Sequence, residues 1–547
     1  MISLKADIKK LLSVMLPILV AQISTAGITF INTTMAGHAG SEDLAGVSVG
    51  AGLFYPLLAS IVGLLMAGTP LMAQLLGQKK SNELPYIVRT GLFIGLAISL
   101  LFGLAYVLCI DSLLAYLGLD SAVEYIARYY LMSMVGVVFF VSMVIPLRCL
   151  TDTAGSTSVS MKLFLMAPPV NGLFNYGLIY GHLGMPALGG IGAGVATMLT
   201  YGVLLVLFLV VILRAERLKG KEIFQTASIR VADLKEYLFV GIPSGLSIFM
   251  EMSLFSVIIV FLAKYGTDAL AAYQIADNFA SLVYMIPVSC SMALAILIAT
   301  AVGANDIPLA RRYKKAGLVT ALIGASMTAS LTICSRESIG NVYTNDAVVV
   351  AIAGQFLIYS AGWQLFDAIS TPIQGILRGL KDTRISFILM VMAYWGGCFP
   401  MSLLLDHGFG LAADSYWLGL DFGVGCSAFF MILRLVYVER VMDGEWVPTL
   451  AWVMQGLGLM SVDTRPVADG IPSWKVSEIE EENRTQAREF LTFVAQMEEK
   501  LASLMQAIKE EKVDVFTEKK SIIPIRSAKL TDLHLCILGH ATRSYVP

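Results

Sequence analysis

Apolar runs of about twenty residues, each long enough to cross a bilayer as a helix, recur along this chain to beyond residue 430 between charged or Gly/Pro-rich breaks. They fall near residues 11–33, 47–73, 91–110, 125–147, 163–181, 187–213, 239–263, 270–300, 317–335, 347–376, 385–405 and 411–433. That pattern predicts an all-α polytopic membrane protein with about twelve transmembrane helices. The composition agrees, since 57% of residues are hydrophobic and 14% charged, far from the balance of a soluble domain. Lys5, Lys9 and Lys10 ahead of Leu11 resemble a signal peptide. Apolar character runs on past Phe30 without a cleavage site, however, so the segment reads as a retained first span.

The connections between runs carry the orientation. Lys79, Lys80 and Arg89, then Arg148 and Lys162, then Arg214, Arg217, Lys219, Lys221, Arg230 and Lys235, then Arg311, Arg312, Lys314 and Lys315, then Arg378, Lys381 and Arg384 occupy alternate connections. The others hold chiefly Lys264 and Arg336. Cytoplasmic loops hold the excess of Lys and Arg, so both termini are expected in the cytoplasm. A formal net charge of −2 gives no nucleic-acid signal. The seven cysteines lack paired or metal-like spacing and read as small core hydrophobes.

The chain also repeats itself. Pro17 recurs as Pro243, Leu44-Ala45 as Leu270-Ala271, Gly77 as Gly303 and Pro146 as Pro372, each 226 residues apart (243 − 17, 270 − 44, 303 − 77, 372 − 146). Two six-helix halves entering from the same side are related by a pseudo-twofold axis along the membrane normal, and binding is expected between them. The expected division is an N-terminal half over 1–213, a cytoplasmic linker over 214–238, a C-terminal half over 239–440 and a cytoplasmic tail over 441–547. In the tail, Phe490, Val494, Met497, Leu501, Leu504 and Ile508 form a short heptad stripe with the spacing of a coiled coil.

Within this apolar background two carboxylates stand alone, Glu251 in the run 240–263 and Asp367 in the run 347–377. A charge at such depth costs about 2.5–3.5 kcal/mol on insertion scales, and intramembrane acids commonly face a water-filled cavity, pair with one another or bind a cation. That points to transport. Asp277 and Asp421 are two further acids inside expected spans. Asn171, Asn175, Gln274 and Asn278 are read either as interhelical hydrogen bonders or as neutral ligands completing a cation shell, and Trp363 as a ring able to line a drug cavity through cation–π contact. Phe54, Tyr55, Tyr273, Phe279, Tyr284 and Phe366 have the same chemistry but suit packing as well. Gly46-Val-Ser-Val-Gly50 matches a nucleophile-elbow pattern only on paper, because no strand precedes it. No GxxxxGK[ST] loop occurs, so an ATP-hydrolysing enzyme is not expected.

Several segments together resemble the multidrug and toxic compound extrusion transporters, in their NorM-like branch, over residues 5 to about 440. They include Pro17 to Gln22, Phe30 to Gly37, Pro168-Pro-Val-Asn171 with Asn175, Gly181 to Pro186, Gly189 to Thr197, Gly241-Ile-Pro243, Phe249 to Phe255, Gln274 with Asn278-Phe279, and Asp367 with Gly375 to Gly379 and Lys381-Asp-Thr383. The resemblance implies that Glu251 and Asp367 take part in cation binding and drug release. It also implies a departure, since the acid this family carries in its first span is Asn32 here. An amide oxygen can still ligate a hard cation such as Na⁺ but cannot exchange a proton near neutral pH. The expected activity is therefore efflux of hydrophobic or cationic drugs in exchange for Na⁺, with Glu251 and Asp367 as the Na⁺ ligands, no cofactor beyond the coupling ion, and a single chain as the working unit in the bacterial inner membrane. Protons compete for the same acids, so H⁺ coupling is the first variant. Two other readings are a lipid-linked precursor flippase, which the scarcity of Arg and Lys in the spans disfavours, and a receptor or scaffold acting through the tail.

Overall fold

The computed structural model describes residues 2–215 and 229–442, and every described element is helical. The N-terminal half comprises α1 (Ile2–Ala39), α2 (Ser41–Leu65), α3 (Gly68–Gly77), α4 (Leu84–Leu117), α5 (Ser121–Leu150), α6 (Thr157–Leu165), α7 (Ala167–Tyr180) and α8 (Gly190–Arg214). The C-terminal half comprises α9 (Val231–Leu262), α10 (Thr267–Gly303), α11 (Ile307–Tyr343), α12 (Ala347–Gly379), α13 (Thr383–Val391), α14 (Phe399–Phe409) and α15 (Asp414–Met442). Among the described residues eleven helical stretches are long and apolar enough to cross a membrane. The twelfth span is α6 with α7, interrupted at Met166. Pro168 and Pro169 cause the interruption, because without amide hydrogens they cannot bond the carbonyls of Phe164 and Leu165.

The 226-residue period is a property of the helices themselves. Ser41 and Thr267 open equivalent helices, as do Ser121 and Ala347, and Thr157 and Thr383, while Gly77 and Gly303 close equivalent ones (267 − 41, 347 − 121, 383 − 157, 303 − 77). The fifth span of each half is irregular, broken between α6 and α7 in one and wound as a π-helix over Met392–Cys398 in the other. Short polar caps fix several starts: Ser156 accepts from the Ser158 amide, and Asp346 accepts from Val348 and Val349. Gly118, at φ 58°, ends α4 in the left-handed conformation that favours glycine.

The halves interlock through their first helices. α1 packs on α10 and α11 of the other half, and α9 packs on α2 and α4. The second of these contacts is the tighter. Gly241 and Gly245 form a GxxxG face on α9, and a Cβ on either would stand 2.7 Å from the Leu64 carbonyl oxygen and 2.6 Å from that of Ser60 respectively. Small residues at this spacing let helix backbones meet inside a membrane, and the Ser60 hydroxyl donates to the Gly245 carbonyl at 3.0 Å. The equivalent positions on α1 are Met15 and Leu19 (241 − 226, 245 − 226), so α1 lacks this small-residue face.

α9 begins at Val231, eight residues before the expected start of the C-terminal half (239 − 231). Its first two turns carry Asp233, Lys235 and Glu236, charges that hide them from an apolar-run search. The chain divides into two units, Met1–Ile432 and a second from Leu433 onward. Of the second, only the last turns of α15 are described, where the Arg434 guanidinium lies 5.0 Å from the Tyr437 ring centre. The heptad stripe from Phe490 to Ile508 and the rest of the expected tail beyond Met442 lie outside the described residues.

Candidate cation and drug sites

Each half holds a buried polar network around its expected site residues, and these two differ in charge; the N-terminal half also buries the ion pair of Arg148 with Asp152, 3.3 Å apart. In the C-terminal half, α9 supplies Glu251, α10 Tyr284, α12 Asp367 and Thr371, and the π-helical turn Tyr394. Asp367 is 1% exposed. The Thr371 hydroxyl, one turn on, donates to its Oδ1 at 2.6 Å, while Oδ2 has no protein partner. Glu251 is half-buried, and its Oε1 receives the Tyr284 and Tyr394 hydroxyls at 3.4 and 3.5 Å, long distances for such bonds. Tyr284 lies within electrostatic reach of both carboxylates and 5.7 Å, ring centre to ring centre, from Trp363. Trp363 is buried with its indole N–H unpartnered, and Gln364 beside it donates to Thr332 at 3.3 Å.

This is a concentration of acceptors short of donors. A buried acceptor without a partner costs about 1–3 kcal/mol, more when charged. Hydroxyl and carboxylate oxygens around two acids are the donor set that hard cations take. No group of three or more His, Cys, Asp or Glu side chains suited to a metal ion occurs among the described residues.

The N-terminal half is closed upon itself. The Asn175 amide donates to Asn32 Oδ1 at 2.8 Å and to Asn171 Oδ1 at 2.9 Å. Asn32 in turn donates to Thr197 at 2.8 Å, and Asn171 to Thr200 at 3.4 Å. Both threonines pass their hydroxyl hydrogens to carbonyls one turn back in α8, Ala193 and Ala196. All five side chains are buried and none is charged. One acceptor, Asn175 Oδ1, is left over.

The remaining expected residues are divided. Asp421 Oδ1 is buried without a partner, and its carboxylate packs against α12 at Gly362, where a Cβ would stand 3.2 Å from Oδ2. Asp277 is half-buried and forms no hydrogen bond with a described residue. Gln274 and Asn278 join neither network: both are exposed, and Asn278 accepts from the Tyr343 hydroxyl at 2.9 Å. Phe54 and Tyr273 are core rings, 1% and 0% exposed. Thr197, Thr200, Thr371 and Tyr394 were not singled out by the sequence, although Thr371 stands four residues after Asp367, the spacing that brings side chains together on a helix.

Comparison with known proteins gives this geometry a family. The MatE family model matches residues 17–177 and again 243–403, two stretches offset by the same 226 residues (243 − 17, 403 − 177). Probable multidrug resistance protein NorM of Halalkalibacterium halodurans is 37% identical over 433 residues, covering 79% of this chain and 94% of that protein. The protein of the same name from Bacillus subtilis is 35% identical over 437 residues, 80% and 97% of the two chains. Among solved structures, the eukaryotic MATE transporter AtDTX14 superposes with a TM-score of 0.72 at 19% identity, over 79% of this chain and 96% of that one. An outward-facing multidrug resistance MATE transporter of the MOP superfamily gives the same score at 16% identity, over 79% and 97%. Those two likenesses speak to the fold, and the curated relatives bear the name of probable multidrug resistance proteins. By the repeated family match and by the NorM relatives, this chain is a member of the MatE family of membrane transporters.

Proposed function

We propose that this protein is a multidrug efflux antiporter that exchanges hydrophobic or cationic drugs for Na⁺ by alternating access, with the basic loops and both termini on the cytoplasmic side. The observation that carries the reading is the pair Glu251 and Asp367, set near one another inside the C-terminal half with Asp367 Oδ2 unpartnered. Two carboxylates in a low-dielectric site attract either an organic cation or Na⁺, and occupation by one weakens the other. Thr371, Tyr284 and Tyr394 supply neutral oxygens for the ion, and Trp363 offers a ring face to a drug cation. Asp277 and Asp421, also in the C-terminal half, add negative charge that draws cations inward. Asn32, Asn171 and Asn175 form a separate neutral network in the other half, without a titrating group. Na⁺ entering down its gradient displaces the drug from this C-half site, and the two halves rock against each other to alternate access. The names of the NorM relatives, probable multidrug resistance proteins, support the drug-efflux part of this reading.

The test is efflux of a fluorescent organic cation from cells under separately imposed Na⁺ and pH gradients, with Asp367→Asn alongside. Efflux that follows the Na⁺ gradient and fails in the variant is expected. Dependence on the pH gradient alone would replace Na⁺ by H⁺, and the absence of any gradient-driven efflux would favour lipid-precursor flipping.

A further inference from the structure

On the basic-loop end of the molecule the halves are joined by three ties that follow the internal repeat. At the centre, a Cβ on Gly77 would overlap the Thr300 carbonyl oxygen and a Cβ on Gly303 would overlap that of Gln74. Thr300 is itself the repeat of Gln74 (300 − 74 = 226), so the two contacts are images of each other. To one side, Arg312 of α11 grips Asp7 of α1, Nε to Oδ2 at 2.9 Å and Nη2 to Oδ1 at 2.8 Å. To the other, the Arg230 guanidinium, just ahead of α9, lies 3.7 Å from the ring centre of Tyr86 on α4 and 4.0 Å from Glu83 Oε2. Tyr86 is the repeat of Arg312, and Asp233 that of Asp7 (312 − 86, 233 − 7). Both flanks therefore tie the start of one half to the third span of the other, with different chemistry.

The flanks are unequal in strength. Arg230 and Glu83 are 45% and 41% exposed, so their attraction is largely screened. Asp7 is only 7% exposed along its side chain and meets a two-pronged guanidinium, the stronger form of charge-assisted pairing. Arg312 keeps 50% of its side chain exposed and is rehydrated readily when the pair parts. Any rocking that opens this end separates Gly77 from Thr300 and Asp7 from Arg312 together.

We propose that Asp7 and Arg312 form a latch between the halves that holds the cytoplasmic gate shut, and that Gly77 and Gly303 are the seat on which it closes. The proposal rests on the alternating-access reading above for the identity of this end. It is tested by pulsed electron-spin distances between labels at Gln78 and Asn305, both exposed beside the seat, in the full chain with its native cysteines replaced. A short distance should dominate the parent. Asp7→Asn and Arg312→Gln should each raise the long-distance population at least fivefold, Arg312→Lys less, and the exchanged pair Asp7→Arg with Arg312→Asp should restore the short one. Gly77→Ala should open the same distance without altering a charge. Unchanged distances in the two charge-neutralising variants, or failure of the exchanged pair to recover a short distance, would overturn the latch. Because distances are read without a drug or an ion gradient, they report on the latch even where efflux experiments reject Na⁺/drug exchange.

Discussion

The two halves of this transporter share a backbone period and share almost none of their buried polar chemistry. Asn32, Asn171 and Asn175 have Ile258, Gly397 and Met401 at the repeat positions in the other half (each 226 later). Conversely Glu251, Tyr284, Asp367, Thr371 and Tyr394 have Thr25, Leu58, Val141, Ile145 and Pro168 (each 226 earlier). Around the expected site residues, one half is thus wired with neutral amides that satisfy one another, and the other with carboxylates short of donors; the charge that the N-terminal half does bury, Asp152, is paired with Arg148. The difference teaches where coupling is expected to lie. A neutral, mutually bonded network has little to gain from a cation and nothing to release, whereas an unpartnered buried carboxylate has much to gain.

The comparison is broken most directly at Asp367. Asp367→Asn should cut drug efflux driven by the coupling ion by about 100-fold, near the top of the range of coupling free energies between sites, measured as the initial rate of dye loss from energised cells. An N-half variant with an equal loss would overturn the division of labour. Asn175→Leu removes the donor that joins Asn32 to Asn171 and leaves buried acceptors open, so it should destabilise the fold by about 1–3 kcal/mol. That is read as a lowered melting temperature of the purified protein, with a far smaller fall in efflux per folded molecule. Thr371→Val keeps the shape and takes away the hydroxyl on Asp367 Oδ1; it should change the apparent Na⁺ affinity at least about tenfold, following roughly 1.5 kcal/mol, the lower end for a hydrogen bond to a charged group, without changing maximal efflux as much. Asn32→Asp sharpens the contrast from the other side, since it gives the neutral half a proton-exchanging group. A new pH-dependent step in efflux between about pH 5 and 8 is expected in the variant and not in the parent, and its absence would mean that the amide network is insulated from the transport path.

Much of this was legible in the sequence, for physical reasons. A span must be apolar over a fixed length, so runs of residues give the helices and their number, and a shared offset at Pro17 and Pro243 or Gly77 and Gly303 gives the repeat. A lone acid in such a run is costly enough to be conspicuous, which is why Glu251 and Asp367 stand out. The partners of those acids were harder to read. Thr197 reaches Asn32 across 165 residues, and nothing along α8 marks that threonine from others that merely bond their own helix. Gln274 and Asn278 lie one turn apart on α10, on a face that proves exposed; which face of a helix turns inward depends on rotation about its axis, and an apolar helix in an apolar medium carries only a weak record of it. The broken span at Met166 and the early start of α9 at Val231 escaped for a related reason, because proline spacing and terminal charges shift helix ends without changing the number of spans.

Gly77 and Gly303 bring main chain against main chain at the centre of the closed end. Peptide groups pressed together with no side-chain layer between them offer no gap for a file of water molecules, and protons cross proteins along such files. A transporter shut in this way is watertight, so a membrane can carry many idle copies without dissipating the ion gradients that its other machinery depends on.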